Sequence, residues 1–148
     1  MTFWRDKVVV VTGGSAGLGL VLSQSYAAAG CQVIIASRNE SQGLQAVDSI
    51  GAEKARFIAT DVTDADSVTR LVEQTIEHHG KIDTWVNNAG RSSRGLAQDT
   101  SVEEFESLLQ LNFLAVVRCS QAAIPHLLAS GGHLVNIGSL SAKTASPY

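Results

Sequence analysis

Cysteine, proline and methionine are scarce in this chain, which has two Cys, two Pro and one Met among 148 residues. Cys31 and Cys119 stand apart, each beside small or apolar residues and without C-x-x-C spacing. This excludes a disulfide framework and reads as two buried thiols. Charge is also sparse: 17% of residues are charged and the net charge is −3, too little basic surplus to suggest a nucleic-acid partner. No apolar run approaches the ~18–20 residues of a membrane span, and residues 1–7 lack the apolar core of a signal peptide. No membrane is therefore expected, and a cytoplasmic location is. His78, His79, His126 and His133 are too scattered for a metal site. The adjacent pair, at a predicted helix end, is expected to favour the helix dipole.

What is present is apolar and regularly punctuated. Hydrophobic residues make up 45% of the chain, an ordinary globular share. Residues 8–19, VVVVTGGSAGLG, are the organising stretch. Val8 to Val11 are consecutive β-branched residues, too apolar for a strand with one wet face, and predict the central strand of a parallel sheet. Thr12 ends it. Gly13, Gly17 and Gly19 then remove side chains where backbone must turn, approach a ligand and pack a new helix on the sheet. Amides at such a helix start, with the helix dipole, stabilise a pyrophosphate. Ser15 and Leu18 belong to the same loop. On the loop alone, a glycine turn in some other α/β protein is the competing reading.

Strand and helix patterns then alternate. Residues 18–30 predict a helix with Leu18, Val21, Leu22, Tyr26 and Ala29 as its apolar repeat, stopped by Gly30. Residues 32–37 predict a buried strand, and Asn39 or Ser41 caps a helix running to about Ile50 and ended by Gly51. Residues 55–60 predict a third strand, 63–79 a third helix, 82–87 a fourth strand, 101–129 one long helix and 133–138 a fifth strand. Pro125 inside the long helix predicts a kink. This alternation requires right-handed crossovers and a parallel sheet: an α/β, Rossmann-like doubly wound fold with strand order 3-2-1-4-5. Residues 1–148 read as one dinucleotide-binding domain without repeat or linker.

In such a sheet, ligands bind beyond the carboxyl ends of the strands. The first strand closes in the glycine loop, the second in Ser37-Arg38, the third in Asp61-Val62, the fourth in Asn87-Asn88-Ala89-Gly90 and the fifth in Asn136-Ile137-Gly138-Ser139. NAD enzymes generally place an acidic side chain at the second strand end to bind the ribose hydroxyls. Uncharged Ser37 stands there, and Arg38 follows. A guanidinium holds a 2′-phosphate by charge-assisted bonds, so NADP is favoured over NAD. Ala16 supplies no second basic residue, and a solvated loop arginine is the plainer alternative for Arg38.

The TGxxxGxG loop, the NNAG segment of Asn87 to Gly90, an asparagine in the long helix and a serine after the fifth strand occur in the order of the short-chain dehydrogenase/reductase family, which this chain resembles from Lys7 to Tyr148. The resemblance implies that Asp61 and Val62 bind adenine, although a helix-capping aspartate competes for Asp61. It also implies that Asn88, Ala89 and Gly90 lie along the cofactor ribose, with Asn88 bracing the sheet. Asn112 matches the asparagine of a proton relay. Among leucines in LLQLNFL it is expected to face the core and to need a buried partner such as a backbone carbonyl or water. Ser139 matches the serine that hydrogen-bonds a substrate oxygen, a turn serine being the alternative.

The family's catalytic tyrosine and lysine form a YxxxK motif, and none occurs in the 148 residues. Tyr148 directly follows Pro147 and stands closer to Ser139 than the family's tyrosine stands to its serine, so the chain is expected to stop short of that motif. The resemblance implies an NADP-dependent oxidoreductase interconverting a small carbonyl compound and its alcohol, homo-oligomeric at full length. The alternative is a non-catalytic short form that binds a dinucleotide or a partner. Arg91 and Arg94, in the loop RSSRG, point to an anionic substrate or to ordinary surface arginines.

Overall fold

The computed structural model describes residues 3–140. Its elements are β1 (Val8–Thr12), α1 (Gly17–Ala28), β2 (Gln32–Ser37), α2 (Glu40–Ile50), β3 (Ala55–Ala59), α3 (Ala65–His79), β4 (Thr84–Asn87), α4 (Val102–Leu109), a π-helical turn (Gln110–Leu114), α5 (Ala115–Ser130) and β5 (His133–Asn136). The five strands form one sheet in the order β3-β2-β1-β4-β5, and every pairing is parallel. All strand carboxyl ends therefore lie along one edge.

β1 is the central strand because both its faces are covered. Val8 and Val10 join a core with Val68 and Leu71 of α3 and Ala115 and Cys119 of α5. Val9 and Val11 join the opposite core with Ala27 of α1 and Ala46 and Val47 of α2. Helices thus cover both faces, as continuous β-branched strands require.

Three helices depart from the sequence expectation. α1 buries Gly19, Ser23 and Ala27, while Leu18 and Val21 are each 55% exposed. Leu18 and Val21 of the expected repeat face outward, whereas Leu22 and Tyr26 pack against the core as expected. At the closest approach to the sheet only glycine fits, because a Cβ on Gly19 would collide with the Gly13 carbonyl and the Asn88 amide. α3 begins at Ala65 rather than at Thr63, because Asp64 is its N-cap and accepts from the Asp66 N–H. The long helix runs unbroken over Val102–Ser130, close to the expected span, but it is not regular throughout. Its regular geometry is interrupted at the π-turn Gln110–Leu114, upstream of Pro125, which lies within α5. Pairing of β4 starts at Thr84, two residues later than the sequence predicts.

At the amino edge of the sheet Asp83 is buried, accepts from the Val8 N–H at 2.8 Å and pairs with Lys7 at 2.7 Å and Lys81 at 3.0 Å. His79 does not fit the dipole reading: burial foremost, then Arg56 and His78, lower its pKa and favour the neutral ring. Cys31 and Cys119 are both buried; burial pushes the Cys119 thiol up to about 12. The stretch Val102–Ser130, 29 residues, is long and apolar enough by length and composition to cross a membrane. In this fold α5 lies on the sheet through Ala115, Cys119, Ala123 and Leu127.

Candidate functional site

A cleft of about 660 Å³ opens at the carboxyl edge, lined among others by Gly13, Ser15, Ser37, Arg38, Asp61, Val62, Ala89 and Gly90. The ends of β1, β2, β3 and β4 thus converge on one space. Gly17 and Leu18 open the first turn of α1 beside it, whereas Gly19 and Asn88 form its support. Ala36, Asn39, Gln42, Thr60 and Leu111 also line the cleft, and sequence reasoning misses them as site residues. Their side chains carry no motif, and only the folding of β2, α2, β3 and the π-turn around one space brings them together.

Two features of the glycine loop shape the cleft. Gly13 has φ +65°, a left-handed conformation that a side chain would strain. The N-cap of α1 is Ala16, which supplies no side-chain hydrogen bond. By contrast α2, α3 and α4 are capped by Asn39, Asp64 and Ser101 respectively. The helix that opens beside the cleft therefore presents first-turn N–H groups without a capping side chain, together with the positive end of its dipole.

The loop is pinned from β4. Asn88 Nδ2 donates to the Thr12 carbonyl at 2.9 Å and to the Gly13 carbonyl at 3.3 Å. Thr12, at 1% exposure, does more than end a strand. Its hydroxyl accepts from the N–H groups of Asn88 at 3.0 Å and Ala89 at 3.1 Å and donates to the Val86 carbonyl at 3.2 Å. Asn87 accepts from Trp85 Nε1 and donates to Ser120 Oγ and Asn136 Oδ1, tying β4 to α5 and β5.

At the second strand end the Ser37 hydroxyl is buried without a hydrogen-bond partner among the described residues. Exposed Arg38 lines both the cleft and an adjoining cavity of about 360 Å³ that it shares with Thr63, Arg91, Ser107, Gln110 and Leu111. Asp61 is not the cap of α3. Its Oδ1 accepts from the Thr63 hydroxyl at 2.7 Å and the Thr63 N–H at 2.9 Å. The Thr63 hydroxyl foremost, against an opposing effect of burial, then the Thr63 N–H and the charges of Arg38 and Arg118 hold its carboxyl below the usual range.

Asn112 is exposed rather than facing the core. Its Nδ2 donates to the Arg91 carbonyl at 2.9 Å and its Oδ1 accepts from the Arg91 N–H at 3.0 Å. A backbone carbonyl is its partner, as expected, but at the rim of the site. Ser139 lies exposed beyond β5 on the same edge. Tyr148 lies outside the described residues. Among the described residues, no group of three or more His, Cys, Asp or Glu side chains is placed to hold a metal ion.

The chain belongs to the short-chain dehydrogenase family, which it matches over residues 7–148. It is 37% identical over 140 residues to an uncharacterized oxidoreductase of Bacillus subtilis, YxnA, covering 92% of this chain and 39% of that protein. It is 36% identical over 152 residues to the L-fucose dehydrogenase of Bos taurus, covering 99% of this chain and 56% of the relative. A solved Serratia marcescens short-chain dehydrogenase/reductase, a double mutant, superposes with a TM-score of 0.90 at 28% identity, covering 98% of this chain and 60% of that one. The chain thus spans about half the length of the curated relatives it matches.

Proposed function

We propose that this chain forms the nucleotide cleft of an NADP-dependent oxidoreductase that interconverts a small carbonyl compound and its alcohol. The observation that carries the reading is the uncapped start of α1 opening onto a cleft that Arg38 also lines. The residues present fit a dinucleotide. The first turn of α1, with Gly13, Ser15, Gly17 and Leu18, faces a pyrophosphate with N–H donors, and Gly19 lets that turn sit close to β1. The unpartnered Ser37 hydroxyl and the Arg38 guanidinium suit the phosphorylated ribose. Asp61 and Val62 bound the adenine end, and Asn88, Ala89 and Gly90 carry backbone past the other ribose.

The bound nicotinamide supplies or accepts the hydride. The protein's part is to orient it and to manage the substrate oxygen. Ser139, beyond β5, is the residue we assign to hydrogen-bond that oxygen, stabilising its developing charge. Asn112 anchors the Arg91 backbone at the rim. Exposed Phe105, Leu109, Phe113, Val117 and Leu128 on α4, the π-turn and α5 support self-association of the intact protein. The two buried free thiols agree with a reducing, cytoplasmic setting.

Fluorescence titration of the intact protein with NADPH and NADH tests the reading. Tighter binding of NADPH is expected. Binding of neither nucleotide overturns the cleft assignment, and preference for NADH overturns the NADP assignment.

A further inference from the structure

The segment leaving β4 is fastened to α4 by a fork. Arg91 Nη1 and Nη2 each donate to a Glu104 carboxylate oxygen at 2.7 Å, and Nη2 also donates to Ser107 Oγ at 3.1 Å. The guanidinium is thus engaged within the chain and is not held ready for an anionic substrate, one of the two readings its sequence position allows. Its carboxylate partner is pulled down to about 2, by the Arg91 hydrogen bond foremost, so the pair stays charged at any working pH.

The Arg91 backbone is held separately. Both of its polar groups are bonded to one side chain, Asn112, in the middle of the π-turn Gln110–Leu114. A π-turn departs from the favoured helical ladder and commonly marks a functional position. Leu111, beside Asn112, walls the cleft, and Asn112 Oδ1 lies 2.9 Å from where a Cβ on Gly90 would stand. One residue, Arg91, therefore joins α4 through its side chain to the π-turn through its backbone. The two attachments meet in one residue, so each limits where the Arg91 backbone can sit.

We propose that Arg91 is a positioning residue, whose fork on Glu104 holds the Asn112 side chain and the π-turn in register against the cleft. This inference rests on the reading of Asn112 and the cleft as parts of the working site. A bidentate guanidinium–carboxylate pair fixes direction as well as distance, which a lysine ammonium does not. A partly exposed pair contributes little to global stability, so its loss should be felt locally.

Amide hydrogen exchange of the intact protein, without nucleotide, tests this. In Glu104→Gln and in Arg91→Lys the residue-91 amide, which donates to Asn112, should exchange roughly three- to fivefold faster, while the core amide of Val10 keeps its rate. The swapped pair, Arg91→Glu with Glu104→Arg, should return that amide to within about twofold of the parent. Unchanged exchange at position 91 in both single variants overturns the proposal. So does equal acceleration there and at Val10, which reports general destabilisation. A parent protein that fails to bind NADPH sinks the cofactor reading and leaves this measurement standing.

Discussion

Asn88 and Thr12 bind each other twice across the mouth of the sheet: the Asn88 amide donates to the Thr12 carbonyl at 2.9 Å, and the Thr12 hydroxyl accepts the Asn88 N–H at 3.0 Å. They are 76 residues apart in sequence. Their pairing ties the end of β4 to the glycine loop beside the cleft.

Thr12→Val should therefore destabilise the protein by about 2–3 kcal/mol, since it keeps the shape but strands two N–H donors and one carbonyl that the hydroxyl serves. Urea unfolding measures it. A cost below about 0.5 kcal/mol would mean that those groups find other partners.

Arg38→Asp should weaken NADPH binding by roughly ten- to a hundredfold, about 1.5–3 kcal/mol, and improve NADH, because a charge-assisted pair to phosphate is replaced by like-charge repulsion. Dissociation constants for both nucleotides check this. Unchanged values would show that Arg38 does not read the 2′-phosphate.

Gly19→Ala places a methyl group against the Gly13 carbonyl and the Asn88 amide. Overpacking of this kind costs about 1–3 kcal/mol. Because it pushes α1 away from the loop, NADPH affinity should fall with stability. Denaturation and nucleotide titration on the same variant test whether the two losses occur together.

Asp83 carries a pH prediction. Burial raises its pKa, but hydrogen bonds from Lys7, Val8 and Lys81 together outweigh burial, and the folded pKa lies below the ordinary carboxylate value. The stabilisation is therefore complete above the unfolded pKa of about 3.9 and is lost as pH falls through the folded pKa. Asp83→Asn should lower stability at pH 7 by about 1–3 kcal/mol and flatten the acid limb, so that parent and variant converge toward low pH. Parallel stability–pH curves would refute this account.

Asp6 is the one non-glycine residue with positive φ among the described residues, at 61°. This left-handed conformation strains a side chain, even though aspartate tolerates it better than most. Asp6→Gly should raise stability by about 0.5–1 kcal/mol, seen as a higher urea midpoint with unchanged slope. A lower midpoint would show that unfolded-chain entropy outweighs the relieved strain.

The order of elements, the central place of Val8 to Val11, the glycine loop and the strand ends that meet at the cleft are all legible in the residues alone. These are local signals: a strand covered on both faces needs an unbroken apolar run, and a tight turn needs glycine, whatever else the chain contains. Three-dimensional packing settles the rest: α1 turns Leu18 and Val21 outward while Leu22 and Tyr26 meet the core, Thr12 is a hydrogen-bonding hub, Asn112 grips the Arg91 backbone at the rim, and Arg91 is already engaged by Glu104. Each depends on a partner that folding brings in from elsewhere in the chain. A leucine repeat around Asn112 looks like a core face in any helix; which face meets the sheet is decided by the space available there, and which donor meets which acceptor by the crossovers that bring distant strand ends together.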